Sequence, residues 1–198
     1  MYGKLECSIM KIMKTIIEKI DKNQKNTDII REAGRILKEG GLVAFPTETV
    51  YGLGADALNE DAAKKIYAAK GRPSDNPLII HITNMKALDK IVSEVPEKAV
   101  KVAEKYWPGP LTMIFNKSDI VPYGTTGGLD TVAVRMPVDE IAREVIDAGG
   151  GYIAAPSANT SGRPSPTTAQ HVAEDLTGRV DMIVDGGAVE IGVESTIL

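Results

Sequence analysis

The chain has 198 residues, 43% of them hydrophobic and 25% charged, with 23 Lys and Arg against 27 Asp and Glu for a net charge of −4. This composition excludes disordered, collagenous and low-complexity classes, and a chain of this length buries roughly 70% of its unfolded surface without disulfides or structural metal. The negative balance excludes an even basic coat for nucleic acid, though not a local basic groove.

In chain order, residues 1–12 read as a disordered leader, with Met10 or Met13 as alternative starts, and 13–198 as one domain. Charges at Lys4, Glu6, Lys11, Lys14, Glu18 and Lys19 interrupt the first twenty residues, so no export signal forms. No stretch approaches the ~18 apolar residues of a membrane span. Cys7 is the sole cysteine, and His81 and His171 are the only histidines. A disulfide framework and a thiolate zinc site therefore drop out, no protein-held metal is expected, and a reducing cytoplasm is the default location.

Short apolar runs without polar alternation predict strands covered on both faces at Leu42–Phe45, Leu78–Ile82, Leu111–Phe115, Thr131–Val134, Tyr152–Ala155 and Met182–Val184. Helical stripes lie between them. Asp28–Lys38 is stopped by Gly40–Gly41, Asp61–Ala69 follows Asn59, and Met85–Val92 follows Asn84 as N-cap. Pro96 opens a helix running to Tyr106, which Pro108 ends. Val138–Asp147 runs to the Gly149–Gly151 break, and Thr167-x-x-Gln170 has the form of a capping box. Alternating strands and helices predict an α/β domain built on a twisted, open, largely parallel or mixed sheet with flanking helices.

The unusual residues lie in the loops. Gly52-Leu53-Gly54-Ala55-Asp56-Ala57 has the form of a dinucleotide fingerprint, but Pro46 to Tyr51 separate it from the preceding strand and the helix signal begins only near Asn59. A nicotinamide site is disfavoured, and glycines that merely permit tight turns are the plain alternative. Lys64, Lys65, Lys70 and Arg72 place four cations in nine residues. Lys64 and Lys65 suit a solvated helix face, whereas Lys70 and Arg72 flank Gly71 as a phosphate clamp, with the Asn76 amide beside them. A plain surface loop stays open as the alternative.

Ser157 follows a buried strand, so its hydroxyl is expected at the sheet's carboxyl edge, where ligands of open α/β sheets gather. It lacks the glycines of a nucleophile elbow and any evident His–Asp relay, and Ser157 and Asn159 suit hydrogen bonding to a ligand oxygen instead. His81 ends one apolar run, where a lone histidine reads first as a satisfied structural residue and only second as a ligand contact. Arg135 ends another, where a buried guanidinium requires a carboxylate partner. Gly192-Val193-Glu194-Ser195-Thr196 leads into a strand that stops at Leu198.

Taken together, Pro46-Thr47-Glu48-Thr49-Val50-Tyr51-Gly52-Leu53, Lys70-Gly71-Arg72-Pro73, Asn76-Pro77-Leu78, Trp107-Pro108-Gly109-Pro110-Leu111-Thr112, Ala155-Pro156-Ser157-Ala158-Asn159 and Gly192-Val193-Glu194-Ser195-Thr196 resemble the YrdC-type threonylcarbamoyl-AMP synthases, in order and at family spacing from about Asp28 onward. The resemblance implies a twisted α/β sheet with a large concave basic groove. It implies synthesis of threonylcarbamoyl-AMP and pyrophosphate from L-threonine, bicarbonate or CO2, and ATP. Downstream threonylcarbamoyl transferase proteins then modify the tRNA adenosine beside the anticodon.

The resemblance also assigns residues. Lys70, Arg72, Ser157 and Asn159 surround the phosphates as the catalytic set. Arg72, Asn76, Thr131, Ser157 and Ser165 contact ATP. Thr49, His81, Arg135, the backbone at Ala155 and Ser195 hold L-threonine, with Arg135 on its carboxylate and Thr47 assisting or replacing Thr49. Mg2+ is expected on the ATP phosphates. No covalent enzyme intermediate is expected, since the chemistry needs a carbamate held beside ATP and shielded from water. The family continues beyond the Glu-Ser-Thr strand into a segment with an ATP-contacting arginine, so the chain is expected to end within the catalytic domain. The rival reading is an RNA- or nucleotide-binding module without catalysis, and weak tRNA or double-stranded RNA contact fits either. Scarce aromatic platforms, two Phe, one Trp and six Tyr, count against base stacking.

Overall fold

The computed structural model describes residues 14–21 and 26–198. The expected leader at 1–12, with Cys7, Met10 and Met13, lies outside the described residues. The strands are β1 (Ile16–Lys19), β2 (Val43–Phe45), β3 (Gly52–Asp56), β4 (Ile79–His81), β5 (Leu111–Asn116), β6 (Thr131–Arg135), β7 (Ile153–Ala154), β8 (Met182–Asp185) and β9 (Thr196–Ile197). The helices are α1 (Thr27–Lys38), α2 (Glu60–Lys70), α3 (Leu88–Ile91), α4 (Glu97–Tyr106), α5 (Tyr123–Thr126), α6 (Glu140–Ala148) and α7 (Ala169–Leu176).

The strands form one sheet in the order β1-β8-β2-β3-β7-β4-β6-β5-β9. It is mixed: β1, β2 and β8 run parallel, as do β4 with β6 and β5 with β9, while β3, β7 and the β5–β6 pair are antiparallel. Side chains alternate between two apolar layers, as the pleat requires. Val43 and Phe45 pack with Leu37 of α1 and with Val145 and Ile146 of α6, all of them fully buried. Ala44, between them in sequence, joins Leu53, Ile66 and Ile80 in the other layer.

Two local features position the loops that matter. Asn59 caps α2 by accepting from the Asp61 and Ala62 amides at 3.0 and 3.2 Å, and Gly71 ends it at φ +61, a conformation that favours glycine. Lys70 and Arg72 therefore sit on opposite sides of a sharp turn. In β3 the glycines serve close packing: a Cβ on Gly54 would lie 2.6 Å from Phe45 Cε1. The Gly52–Ala57 segment is thus mostly a buried strand, neither a dinucleotide loop nor a pair of turns.

Other expectations shift modestly. Met85–Val92 divides into a 3₁₀ turn at Met85–Ala87 and the short α3. The cap of α7 is Thr168, whose hydroxyl accepts from the His171 amide, so the box expected at Thr167 and Gln170 does not form. Among the described residues no helix is long and apolar enough to cross a membrane.

Candidate functional site

A cavity of about 210 Å³ lies against one face of the sheet. Pro77, Ile79 and His81 line it at alternating positions of β4 and its approach, joined by Gly52, Ala155 and Ser157. As expected, Ser157 emerges at the carboxyl end of its strand, an end β7 shares with β2 and β8, whereas β4 beside it runs the opposite way. β7 is antiparallel to β4, and the Ala155 amide donates to the Ile79 carbonyl at 2.9 Å, so the chain leaves β7 toward the start of β4. Ser157 and His81 mark opposite ends of the floor, with Ile79 between them.

At the His81 end the residues come from four separate elements. Register sets His81 of β4 beside Arg135 of β6, and Thr112 of β5 on the other side of Arg135. The Thr112 and Ser195 hydroxyls are 2.7 Å apart, which fixes Ser195 beside them. Thr49 is fully buried in the loop after β2, its hydroxyl 2.9 Å from that of Thr47, which itself donates to the Val50 carbonyl at 2.7 Å. The segment before β9 is tied to this loop, since the Ile191 and Gly192 amides donate to the Glu48 and Thr49 carbonyls at 3.0 and 2.9 Å. Thr49, His81, Arg135, Ala155 and Ser195 all line the one cavity.

Arg135 already has a carboxylate partner in the chain. Its NH2 group donates to Glu48 Oε1 at 2.6 Å, with both side chains 5% exposed, and its Nε points to the Gly109 carbonyl at 3.4 Å. Glu48 Oε2 is buried with no hydrogen-bond partner. Sequence reasoning required a carboxylate for Arg135 without finding Glu48. The signal was an acid enclosed by Thr47 and Thr49, directly after a buried strand.

His81 donates from Nδ1 to the Ile79 carbonyl at 3.1 Å, which assigns the tautomer and leaves Nε2 as an acceptor. Burial, reinforced by the Arg135 charge, pushes its pKa down to about 3, so the ring is neutral across the usable pH range.

At the other end Arg72 and Ser157 reach the cavity, while Lys70 and Asn159 stand behind it. Lys70 is 3% exposed. Its ammonium donates to the Ser157 carbonyl, to the Asn159 carbonyl at 2.6 Å and to Asn159 Oδ1 at 3.3 Å. Asn159 is used as fully: Oδ1 accepts the Ser157 hydroxyl at 2.6 Å, and Nδ2 donates to the Thr160 and Arg163 carbonyls at 2.9 and 2.7 Å. The expected two-cation clamp is thus divided. Lys70 orders the 157–159 loop, and Arg72 alone turns to the cavity with its Nε buried and unpartnered. Burial lowers the pKa of both cations, that of Lys70 to about 8.

The remaining expected ATP contacts lie outside the lining. Asn76 is exposed, its carbonyl accepting from the Tyr67 hydroxyl at 3.0 Å. Thr131 begins β6 and is half-buried, and the Ser165 hydroxyl pairs with Glu194, a lining carboxylate that sequence reasoning left unassigned. The cation-rich helix face divides as well, for Lys65 donates to the Gly40 carbonyl at 2.6 Å while Lys64 pairs with Asp61 at 3.0 Å.

A second cavity of about 800 Å³ is lined by Glu48, Asp139, Glu140, Glu144, Asp147 and Glu190. The Arg72 and Arg135 guanidiniums line the small cavity, whereas the charged residues lining the large one are all acidic. At 210 Å³ the small cavity falls below the roughly 300–1,000 Å³ of drug-sized sites and suits a ligand of amino-acid size, with anything larger extending outward past Arg72.

Comparison with known proteins gives a consistent kinship. The Sua5/YciO/YrdC family model, described as telomere recombination, matches residues 35–198. A threonylcarbamoyl-AMP synthase of Pyrococcus abyssi is 59% identical over 169 residues, covering 85% of this chain and 50% of its own. One of Bacillus subtilis is 53% identical over 190 residues, covering 96% and 55%. The crystal structure of P. abyssi Sua5 complexed with L-threonine superposes with a TM-score of 0.85 at 55% identity, covering 94% of this chain and 53% of that one. The chain spans about half the length of these relatives.

Proposed function

The chain belongs to the Sua5/YciO/YrdC family, and on that premise we propose that it makes threonylcarbamoyl-AMP. The ammonium of L-threonine gives up a proton to solvent, and the free amine attacks CO2 drawn from bicarbonate, losing its second proton to solvent as the carbamate forms. The resulting carbamate oxygen then attacks the α-phosphorus of ATP, and the bond to pyrophosphate breaks. The observation that carries the reading is the division of one cavity between two guanidiniums, Arg72 without a carboxylate partner and Arg135 backed by Glu48. The Sua5 relative crystallised with L-threonine supports the amino-acid half.

In this reading the donors of Arg135 not directed to Glu48 or Gly109 hold the threonine carboxylate. Neutral His81 accepts from the ammonium or hydroxyl through Nε2, and Thr49 and Ser195 take the other polar atoms. Arg72 meets the phosphates and steadies charge on the leaving pyrophosphate. Lys70 and Asn159 act through the loop they order, and Asn76, Thr131 and Ser165 meet the nucleotide only where it extends beyond the cavity. Rate comes from holding the short-lived carbamate next to ATP in a walled space.

Mg2+ would supply charge neutralisation on the phosphates. The small cavity offers one lining carboxylate among the described residues, Glu194, already paired with Ser165, so a hard cation finds its ligands on phosphate oxygens and water. The product passes to threonylcarbamoyl transferase proteins acting on tRNA in the cytoplasm, with any tRNA contact of this chain being weak. The test is pyrophosphate release from ATP with threonine and bicarbonate omitted in turn. Release should require both, and release indifferent to threonine overturns the reading.

A further inference from the structure

The two arginines of the cavity differ in their immediate electrostatic surroundings. Among the described residues Arg72 has no carboxylate against it, and its buried Nε has no partner at all. Arg135 carries Glu48 at 2.6 Å, and the pair is enclosed at 5% exposure on both sides, where screening by water and salt is slight. The contact is a single one: Oε1 is engaged and Oε2 is left unpartnered, so Glu48 is not placed for the two-point pairing that best satisfies a carboxylate. Behind Glu48 the wall of the acidic cavity continues with Asp139, Glu140, Glu144 and Asp147. One end of the small cavity is therefore cationic, and the other presents guanidinium donors on a neutral pair set against negative surroundings.

We infer that Glu48, acting through Arg135, determines which anion each end of the cavity accepts: it cancels the charge of Arg135 so that this end takes a zwitterionic amino acid and refuses a polyphosphate, which is left to Arg72. The inference rests on the proposed placement of threonine at Arg135 and of phosphate at Arg72. Both ligands carry an anionic group that any free guanidinium would bind, so attraction alone does not sort them. Discrimination requires an element that penalises the wrong one. A zwitterion of zero net charge loses little when the field of Arg135 is cancelled, because its carboxylate is held by directed hydrogen bonds and its ammonium is favoured by the acidic surroundings. A pyrophosphate or triphosphate, with several negative charges, depends on net field and meets repulsion there.

The test is calorimetric titration of inorganic pyrophosphate, with and without saturating L-threonine, into the wild-type chain, Glu48→Gln and Glu48→Asp. Wild type should bind one pyrophosphate, with affinity changed less than about 2-fold by threonine. Glu48→Gln keeps an oxygen for Arg135 but removes the charge, and it should bind a second pyrophosphate that competes with threonine, weakening apparent threonine affinity at least about 10-fold. Glu48→Gln that is folded by circular dichroism and still binds one pyrophosphate without competition overturns the inference. If Glu48→Gln does not fold, Glu48→Asp decides. Retracting the carboxylate by one methylene should give competition of about 3-fold, and none overturns the inference. Wild-type chain that binds pyrophosphate but not threonine overturns the amino-acid placement instead. The charge sorting then stands or falls on whether the Gln variant gains its second pyrophosphate.

Discussion

Lys70 and Asn159 are 89 residues apart in sequence, yet the Lys70 ammonium donates to the Asn159 carbonyl at 2.6 Å and is enclosed by the loop it binds. The Ser157 and Asn159 carbonyls depend on that one group, which also reaches Asn159 Oδ1 beside the Ser157 hydroxyl. Lys70→Met keeps the length of the side chain and removes every donor, leaving buried acceptors unsatisfied at a cost of about 3 kcal/mol or more. Urea unfolding should show that loss. A midpoint within error of wild type would mean the loop is held by other contacts.

Arg72 should behave in the opposite way. It is half-buried, faces the cavity and has an unsatisfied Nε, so the fold gains little from it. Arg72→Ala should keep stability within about 1 kcal/mol while ATP-dependent pyrophosphate release falls at least about 100-fold, the order expected for removing one donor to a developing charge. A large fall in melting temperature with turnover retained would make Arg72 structural.

The contrast between Lys70 and Arg72 also marks where sequence stops informing. The K-x-R spacing shows two cations at a helix end, but not that Gly71 turns one into the protein and the other into the cavity. The six apolar runs all contain strands, because burial writes itself as hydrophobicity, although β5 is not covered on both faces as expected: Ile114 and Asn116 on one of its faces are exposed. β1 reads Ile16-Ile17-Glu18-Lys19, is exposed along its length and is held by register with β8, a long-range pairing that leaves no local pattern. β3 is obscured because its glycines answer to Phe45, a neighbour on another strand. Among the site residues, those at strand ends or in loops after strands are legible. The Arg135–Glu48 pairing is not, since any of the chain's many acids satisfies the need for a carboxylate equally until the sheet is assembled.

His81 makes the ligand-free chain acid-sensitive. Its folded pKa, about 3, lies below the ordinary 6.5, so between those values the unfolded chain binds the extra proton. The contribution is fully present above about 6.5 and is lost as pH falls toward 3. From pH 7 to pH 5 the loss is about 2 kcal/mol. Thermal unfolding should therefore fall more steeply over this range in wild type than in His81→Gln, measured without ligand. Equal slopes would show that the ring is not held neutral.

The Arg135–Glu48 pair requires a double substitution to separate folding from binding. Arg135→Met alone leaves Glu48 as a buried, uncompensated carboxylate and should cost about 3–5 kcal/mol, so a weakened threonine requirement in that variant would be ambiguous. Removing both charges together is different, because replacing a buried ion pair by apolar residues of similar volume is often neutral or stabilising. Arg135→Met combined with Glu48→Leu should recover most of the lost stability in chemical denaturation, while threonine no longer protects the chain against heat and ATP still does. If the double variant keeps threonine protection, the amino acid is held elsewhere. If the double variant is as unstable as the single one, the two side chains are not coupled as their 2.6 Å contact and shared burial require.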